Sequence, residues 1–413
     1  MMHSCSGIKK ALLLAAFQVL HCMLPAQTLP PATPPMGFMT WNFFAEQITE
    51  ADIRSVADAL VSNGLRDAGY NYIFIDDGWQ GGRDNKNNMI PDPVKFPSGM
   101  KALCTYVHDK GLKMGIYSDA APLTCGGYTA SLHFEEQDAQ TFADWGFDYL
   151  KYDYCGAPAD WQTAAQRYSV MAEALKKTKR PMVFSVCEWG DREPWLWAKK
   201  SGGHLWRTTA DIRDKWVSKT PPGKPSDLHR LGAGILDVLN INADLGVYAG
   251  KGYWNDADML VVGLYGKKGP SGALGGTGCT DVEYQSQMSL WCLMAAPLMV
   301  SCDVRNMNEA TKRILLNRAA IAINQDSLGI QATRKIINAT TQVFIKPLAN
   351  GDIALGVLNT SNKTENIQLN LPALAVPKKK KITDVWSGST QAYQEQLSIS
   401  PAAHETLLYR ISN

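Results

Sequence analysis

Short apolar segments that each end in polar or aromatic residues recur along the first three quarters of the chain. Each has the length of a buried strand, and the stretches between them have helical spacing of their apolar residues. The eight segments are GFMTWN (37–42), YIFIDDGW (72–79), KMGIYSD (113–119), YLKYD (149–153), MVFSVCEWG (182–190), HLWRTTADI (204–212), GYWNDADML (252–260) and APLMVSCD (296–303). Eight strand–helix alternations predict an α/β fold, a (β/α)8 TIM barrel, over residues 35–330.

The stretches between these segments carry recognisable helix boundaries. Thr49 and Asp52 form a capping-box pattern, and Gly64 is a stop signal after the apolar face that follows them. Gly146 ends a second helix in the same way, just before the fourth apolar segment. The predicted helices also include the stretches 138–146, 167–177 and 284–299.

The pattern changes after about residue 330, where short alternating strands replace the strand–helix repeat. VFIKPLANGDIALGVLNTS alternates around an Asn-Gly-Asp turn, and further short strands follow it. These features predict an antiparallel β-sandwich over 331–413. We expect a structural role for it, because it carries neither paired acids nor an aromatic cluster.

The N-terminus has the parts of a secretory signal. Two lysines precede the apolar run 11–20, and a cleavage site follows after Ala26. We expect a signal peptide over 1–26, a Pro-rich linker over 27–34, and export to the periplasm or the cell exterior. The later apolar runs are too short to predict a membrane span.

Composition narrows the expected partners and cofactors. The 413 residues carry a net charge of +2, and the basic cluster KKKK at 378–381 suits a solvated turn or a protected sheet edge. We therefore expect no nucleic-acid partner. The seven histidines lack metal-ligand spacing, and no glycine motif for dinucleotides or phosphates occurs. The sequence thus predicts neither a metal site nor a cofactor.

Acidic and aromatic residues occur at the C-terminal ends of many strands of the predicted barrel. Active sites of TIM barrels lie at these strand ends. Lys151 and Asp153 are two residues apart in the fourth strand, so their side chains point to the same face. Taken alone, the two residues are compatible with a simple salt bridge at the end of the strand. The recurrence of acids and tryptophans at other strand ends favours a polar pocket for a sugar. The strand-end residues are Trp41, Asp76, Asp77, Tyr117, Asp119, Asp153, Glu188, Trp189, Asp211, Asp256, Asp258 and Asp303.

Hydrolysis of a glycoside needs two carboxyl groups in different protonation states. Asp153 fits the ionised role, because the neighbouring Lys151 cation should favour its charged form. Asp211 is the best candidate for the second acid by exclusion. Asp76 and Asp77 are adjacent, which suits a grip on two hydroxyl groups better than proton transfer.

Longer motifs connect these residues. They are MGFMTWN, YIFIDDGW, GIYSDA with TCGGY, TFADWGFDYLKYD, CEWG, WRTTADI, WNDADML and APLMVSCDVRNM. In this order, from residue 35 to about 330, they resemble glycoside hydrolase family 27, the α-galactosidase and α-N-acetylgalactosaminidase family. The C-terminal β-domain also matches. The combination is specific, although any one motif alone would be weak.

The resemblance implies a retaining exo-α-galactosidase that removes terminal α-D-galactosyl residues from an oligosaccharide, polysaccharide or glycoconjugate. It places Asp153 as the nucleophile and Asp211 as the acid/base. It also implies a disulfide between Cys125 and Cys155 that braces the site. The residues it implies for sugar binding are Trp41, Asp76, Asp77, Tyr117, Cys125, Lys151, Glu188, Trp189, Arg207 and Asp258.

Within this family Glu188 favours galactose, because the resemblance implies that a glutamate here reaches the 2-hydroxyl group. The Asp76–Asp77 pair implies room for a 6-hydroxymethyl group. α-N-acetylgalactosaminidase and β-L-arabinopyranosidase are the alternatives within the family. A transglycosylase and a galactose-binding protein without catalysis are the alternatives outside simple hydrolysis.

Two features depart from the family pattern. Tyr154 follows the nucleophile where a small or amide residue is usual, and we expect it to alter the pocket rim. The Gly-rich segment 264–281 is longer than the usual connection after the seventh strand. We expect a flexible loop over the aglycone side, with a candidate disulfide between Cys279 and Cys302. Both features bear on linkage preference and not on the reaction class.

Overall fold

The computed structural model describes residues 31–220, 222–223, 225–267, 269–270 and 276–413. The predicted signal peptide (1–26) and the first half of the predicted linker lie outside the described residues. Among the described residues, no helix has both the length and the apolar character needed to cross a membrane.

Eight parallel strands form one sheet around the core. In chain order they are β1 Met36–Met39, β2 Tyr72–Phe74, β3 Lys113–Asp119, β4 Tyr149–Asp153, β5 Val183–Val186, β6 Leu205–Arg207, β7 Trp254–Asp256 and β8 Leu298–Val300. Neighbours pair in the order β8-β1-β2-β3-β4-β5-β6-β7. Beyond β7, Leu260 forms a parallel bridge with Val300 and so connects the two ends of the sheet. The predicted TIM barrel is therefore confirmed.

Helices follow most of these strands. They are α1 Trp41–Phe44, α2 Glu50–Ser62, α3 Leu65–Ala68, α4 Gly99–Asp109, α5 Glu135–Trp145, α6 Trp161–Lys177, α7 Leu228–Leu231, α8 Ile235–Asn242, α9 Asp281–Leu293, α10 Glu309–Leu315 and α11 Arg318–Asn324. The capping box at Thr49 and Asp52 starts α2 as predicted. Gly146 ends α5 with a φ of 99°, a conformation that glycine adopts at little cost.

Two helix predictions are corrected. Among the described residues 187–204, which join β5 to β6, the helical element is the short 3-10 turn Pro194–Leu196 and not an α-helix. The predicted helix 284–299 ends at Leu293, and Ala295, two residues later, has a φ of 49° that is not helical. Pro297 disfavours helical backbone at the residue before it, and the rest of the stretch enters β8.

The last part of the chain is an antiparallel β structure. Its strands are β9 Thr333–Ile336, β10 Thr341–Pro347, β11 Ile353–Asn359, β12 Ile367–Asn370, β13 Lys381–Asp384, β14 Thr390–Ala392, β15 Gln396–Ile399 and β16 Thr406–Ser412. A six-stranded sheet has the order β9-β10-β11-β16-β13-β14, and β12 pairs with β15 in a second sheet. Their shared apolar core includes Val343, Leu355, Leu369 and Leu397. The predicted β-sandwich is confirmed.

The β-sandwich rests on α9 of the barrel. Gly356 lies so close to this helix that an added Cβ would come within 2.3 Å of a Leu293 methyl group. The buried ammonium group of Lys346 donates a 3.0 Å hydrogen bond to the Cys292 carbonyl oxygen. Apolar contact and a buried polar bond thus fix the β-sandwich to the helix that precedes β8.

Candidate active site

One cavity gathers residues at or just beyond the C-terminal ends of β1, β2, β3, β4, β5 and β6. The cavity wall is formed by Trp41, Asp76, Asp77, Tyr117, Cys125, Lys151, Asp153, Trp189 and Asp211. Arg207 and Asp258 line an adjoining cavity together with Lys151. Of the residues predicted for catalysis or sugar binding, Glu188 alone lines neither cavity, and its position is described below. Two other strand-end acids predicted for the pocket, Asp119 and Asp303, also line neither cavity, and Asp303 pairs with Arg305 instead.

Asp153 is held in place from several sides. Its strand pairs with β3 so that Asp153 lies opposite Asp119. Cys125 and Cys155 form the predicted disulfide, with 5.1 Å between their Cα atoms. The Cys125 sulfur lies 3.5 Å from Asp153 Oδ2. The disulfide therefore joins the residue after Tyr154 to the loop beyond β3, next to the Asp153 carboxylate.

The ammonium group of Lys151 pairs with Asp76, whose Oδ2 lies 3.0 Å away. Burial raises the pKa of Asp153 to about 6, and the Lys151 cation and the Cys187 thiol lower it only partly. The prediction that Lys151 holds Asp153 in its charged form is thus right about the direction of that one interaction. Desolvation outweighs the cation and raises the pKa overall, but a pKa of about 6 still leaves Asp153 mostly ionised at neutral pH.

Asp211 lies four residues beyond β6 and is held by Arg207. A guanidinium nitrogen of Arg207 lies 3.1 Å from Asp211 Oδ1 and 2.9 Å from Asp258 Oδ2. Enclosure raises the pKa of Asp211, but the cations of Arg207, Lys151 and Arg213 outweigh it and hold the pKa below its usual value. In the free protein the predicted acid is therefore ionised, whereas the predicted nucleophile is harder to ionise than an ordinary aspartate.

Asp77 is fixed by backbone donors. Its Oδ2 accepts a 2.8 Å hydrogen bond from the Gly126 amide, and its Oδ1 accepts one of 2.8 Å from the Gly78 amide. Gly78 has a φ of 94°, and an added Cβ would lie 2.9 Å from the Glu46 Cα, so this turn requires glycine. Together with Asp76 on Lys151, this arrangement presents two adjacent carboxylates at one side of the cavity.

Aromatic residues form the other walls. The Tyr117 hydroxyl donates a 3.3 Å hydrogen bond to the Cys125 sulfur, and Lys151 Nζ lies 5.3 Å from the Tyr117 ring centre. Trp189 reaches the wall from a backbone with a φ of 59°, and its ring makes an edge contact with His229 at 5.8 Å. Apolar ring faces beside carboxylates suit a pyranose, whose faces are apolar and whose edges carry hydroxyl groups.

Glu188 is fully buried and is held by Arg192. Its side chain is 0% exposed, and its Oε2 accepts hydrogen bonds from the Arg192 amide (2.8 Å) and guanidinium (3.2 Å). Its Oε1 has no hydrogen-bond partner among the described residues. Arg192 therefore binds one carboxylate oxygen of Glu188, and the other oxygen is left unpartnered in a residue next to the cavity-wall residue Trp189.

Two residues near the site were not assigned from the sequence, and a third, Asp119, was predicted only as a strand-end acid without a role of its own. Cys187 is a buried free thiol 3.8 Å from an Arg207 nitrogen, and it interacts with Asp153. Asp119 is fully buried, and its Oδ2 accepts a 3.0 Å hydrogen bond from the Cys155 amide. Arg192 holds Glu188. Cys187 could have been found from its position at a strand end, as Asp119 was, whereas Arg192 carries no such signal.

Two further predictions are corrected. Cys279 and Cys302 are both buried free thiols, so the candidate disulfide between them is wrong. Burial raises the pKa of the Cys302 thiol to about 12. Tyr154 is 1% exposed and stacks on Tyr168 in the core, so it does not alter the pocket rim. Its side chain points into the protein because the alternation of β4 carries past Asp153.

The segment 264–281 is anchored at both ends by Asp214, three residues beyond Asp211. The Gly266 amide donates a 2.7 Å hydrogen bond to Asp214 Oδ2, and the Gly278 amide donates one of 2.8 Å to the Asp214 carbonyl oxygen. Residues 268 and 271–275 lie outside the described residues, so the predicted loop over the aglycone side stays a prediction.

One cluster of potential metal ligands occurs in the described part of the chain, made of Asp119, Asp153 and the cysteines Cys125 and Cys155. The two sulfurs are joined to each other, so they offer no thiolate. The arrangement instead provides two carboxyl groups on different strand ends, with cations and aromatic faces around them. These are the groups that glycoside chemistry uses.

Comparison with known proteins agrees with this geometry. The family model described as Alpha galactosidase A matches residues 33–326, and the Alpha galactosidase C-terminal beta sandwich domain matches residues 338–411. Alpha-galactosidase A of Cellvibrio japonicus is 41% identical over 392 residues, which cover 92% of each chain.

Solved structures with the same fold include two fungal enzymes. Alpha-galactosidase I from Mortierella vinacea is 33% identical with a TM-score of 0.84, and the match covers 94% of this chain and 98% of that one. The α-galactosidase of Saccharomyces cerevisiae solved with raffinose is 29% identical with a TM-score of 0.82, covering 92% and 99%. The chain therefore belongs to the α-galactosidase (melibiase) family of glycoside hydrolases, family 27.

Proposed function

We propose that this protein is a retaining exo-α-galactosidase that hydrolyses terminal non-reducing α-D-galactosyl residues. The observation that carries the proposal is the presence of Asp153 and Asp211 in the wall of one cavity, on the ends of different strands. Relatives over 90% of the chain carry the name α-galactosidase, and one related structure was solved with raffinose. α-Galactosides of this kind are the substrate class we propose.

The reaction takes place in two displacements. A carboxylate oxygen of Asp153 attacks the anomeric carbon while the bond to the leaving oxygen breaks, and Asp211 gives that oxygen a proton. Asp211, now ionised, then takes a proton from water. The resulting hydroxide attacks the anomeric carbon, the ester bond to Asp153 breaks, and galactose leaves with its original anomeric configuration.

Asp211 must become protonated when the substrate binds. In the free protein its pKa is held low, chiefly by the cations that outweigh enclosure. A bound sugar is neutral and removes water from the carboxylate, whose side chain is 34% exposed. Desolvation favours the neutral carboxyl group. Substrate binding thus moves Asp211 towards the protonated form that the first displacement needs.

The remaining wall residues bind the sugar in this proposal. Asp76 and Asp77 accept hydrogen bonds from neighbouring hydroxyl groups, and Lys151 donates one. Trp41 and Trp189 pack against the apolar faces of the ring. Arg207 and Asp258, from the adjoining cavity, complete the hydrogen bonds to the sugar at its inner side.

The cellular location follows from the expected leader. With a signal peptide over 1–26, the enzyme acts outside the cytoplasm, in the periplasm or secreted. A disulfide beside the nucleophile suits such an oxidising compartment. Detection of the mature protein in the periplasmic or extracellular fraction, with its N-terminus after Ala26, tests this proposal.

A panel of three 4-nitrophenyl glycosides tests the activity on protein that starts at residue 27. We expect the α-D-galactoside to be cleaved with the highest kcat/KM, ahead of the α-N-acetylgalactosaminide and the β-L-arabinopyranoside. A preference for either of the latter two would overturn the galactose assignment. Proton NMR of the first product should show α-galactose, and initial release of the β-anomer would exclude a retaining mechanism.

A further inference from the structure

Asp211 lies on a loop beyond β6 and not in a strand. The contacts of the segment 211–216, here called the acid loop, therefore decide where its carboxylate lies. Part of this support comes from the barrel nearby, where the Leu236 amide of α8 donates a 2.8 Å hydrogen bond to the Trp216 carbonyl oxygen. Further support comes from two parts of the chain that follow much later in the sequence, α9 and the β-sandwich.

Asp214 joins the acid loop to α9. Its side chain is buried, and its Oδ1 accepts a 2.8 Å hydrogen bond from the Tyr284 hydroxyl group of α9. Its Oδ2 accepts one of 2.7 Å from the Gly266 amide. Burial raises the pKa of Asp214 to about 6, although both hydrogen bonds lower it in part. A buried carboxylate that lost one of these donors would be costly, so the pair with Tyr284 fixes the middle of the acid loop to α9.

The β-sandwich reaches the acid loop through His404, in the loop before β16. The His404 ring stacks on the Trp216 ring, with 4.8 Å between the ring centres and 13° between the ring planes. Trp216 is buried, and its indole nitrogen has no hydrogen-bond partner among the described residues. The Trp216 side chain is thus held by packing, to which the stacked His404 ring contributes one face.

His404 is itself fixed by α9 and by the β-sandwich. Its Nδ1 lies 2.7 Å from Glu283 Oε1, and its Nε2 lies 2.8 Å from Asn362 Oδ1. Glu283 also belongs to the capping box at the start of α9. The Ser286 hydroxyl group of α9 donates a 2.7 Å hydrogen bond to the His404 carbonyl oxygen. Both the ring and the backbone of His404 are therefore held where they meet the acid loop.

We propose that the C-terminal β-sandwich helps to position the acid/base Asp211. His404 holds the acid loop at Trp216. Tyr284 of α9 holds it at Asp214. Neither His404 nor Tyr284 is among the residues that line the two cavities, and both are positioning residues that act through Asp211. The β-sandwich thus has a part in the reaction in addition to its structural role. The proposal rests on the α-galactosidase activity proposed above.

The test compares kcat/KM on raffinose and on 2,4-dinitrophenyl α-galactoside, since the leaving oxygen of raffinose needs a proton and that of the aryl substrate does not. His404→Asn removes the stacked ring, and asparagine tolerates the left-handed backbone at this position, where φ is 60°. We expect kcat/KM to fall about fivefold to tenfold on raffinose and by less than about twofold on the aryl substrate, because a displaced Asp211 slows proton transfer.

Two further variants separate the stacked ring and Asp211 from other effects. His404→Phe keeps a ring that can stack on Trp216, so it should recover most of the activity on raffinose. In an Asp211→Asn background, His404→Asn should cause no further loss on raffinose, because the residue through which it acts no longer transfers a proton.

A second route to the acid loop and a matched control complete the design. Tyr284→Phe removes the hydroxyl group that binds Asp214, and it should show the same loss on raffinose if His404→Asn folds poorly. His108→Asn is the control. His108 Nε2 lies 2.8 Å from Asp148 Oδ2, just before β4 and so at the opposite end of the barrel from the site. Loss of that pair should leave both values of kcat/KM unchanged.

Three kinetic results would overturn the proposal. The first is an equal loss on the two substrates in both His404→Asn and Tyr284→Phe, which would show a general effect on the structure. The second is native kcat/KM on both substrates in both variants. The third is a further loss on raffinose when His404→Asn is added to Asp211→Asn.

If the native chain cleaves neither substrate, the proposed function fails instead. The positioning role is then decided by crystal structures of the native chain and of His404→Asn. The Asp211 carboxylate should be displaced relative to Asp153 in the variant, and an unchanged acid loop would refute the role.

Discussion

The two acids of the cavity are held in opposite ways. Asp153 is the last residue of a central strand, is 4% exposed and lies beside a disulfide. Asp211 lies on the loop beyond β6, and its side chain is 34% exposed and paired with Arg207. Burial raises the pKa of Asp153 to about 6, whereas the surrounding cations hold that of Asp211 below its usual value.

This difference matches the two tasks in the proposed mechanism. A nucleophile must lie within bonding reach of one carbon atom, so a rigid strand end is the better position for it. An acid/base gives its proton to the leaving oxygen and then takes one from the attacking water, so it gains from a loop that water can reach. The fold therefore places the acid that needs a fixed position on a strand, and the acid that transfers protons on a loop.

Removal of the fixed acid should have the largest effect. In Asp153→Asn the amide cannot form the covalent intermediate, so kcat on an aryl α-galactoside should fall about a thousandfold or more. Galactose should still bind, because the wall residues are intact, and isothermal titration calorimetry would measure this. Substantial residual turnover, with native-like folding, would refute the nucleophile assignment.

Removal of the loop acid should have a smaller effect that depends on the leaving group. Asp211→Asn should lower kcat/KM on an alkyl galactoside or raffinose by about 100-fold or more, since an alkoxide leaves poorly without a proton. A 2,4-dinitrophenyl galactoside, whose leaving group needs no proton, should be much less affected in its first displacement. Steady-state and burst kinetics on both substrates provide the measurement. Equal losses on the two substrates would argue against an acid role.

The disulfide beside Asp153 should contribute mainly to the stability of the fold. Cys125 and Cys155 are 30 residues apart in the chain. For a loop of this size, loss of the bond in a Cys125→Ser/Cys155→Ser variant should lower the free energy of unfolding by about 3–4 kcal/mol. Urea unfolding with and without reductant would measure this. Reductant should destabilise the native chain and leave the variant unaffected, and a native-like midpoint in the variant would contradict the expectation.

The barrel strands were largely predictable from the sequence, whereas the connections between them were less so. The strands at 113–119 and 149–153 have the predicted limits, because apolar alternation and a terminal acid mark both. The capping box before α2 was equally legible. The connection from β5 to β6 was not, since Gly190, Pro194 and Gly202 interrupt any helix there and only the fold shows what replaces it.

For the site, the sequence predicted which residues lie in the same cavity wall, but it did not predict their protonation states. Nine of the predicted residues share one cavity wall. The net pKa of Asp153 depends on how desolvation compares with the Lys151 cation, and the enclosure of Glu188 depends on Arg192 four residues later. Both are balances between three-dimensional contacts that spacing along the chain does not encode. The wrong pairing of Cys279 with Cys302 has the same origin, because position along the chain does not show which thiols are bonded.

The smallest expected effect concerns the coupling of the two acids. A carboxyl group with a raised pKa is protonated below that value, so kcat/KM on an activated aryl galactoside should rise as pH passes about 6, where Asp153 ionises. The charge of Asp211 contributes to this raised pKa. In Asp211→Asn that charge is absent, and the acid limb should move to lower pH. Asp144→Asn, on the exposed side of α5, should leave the limb in place. A limb that stays put in Asp211→Asn would show that the charge of Asp211 does not contribute to the raised pKa of Asp153.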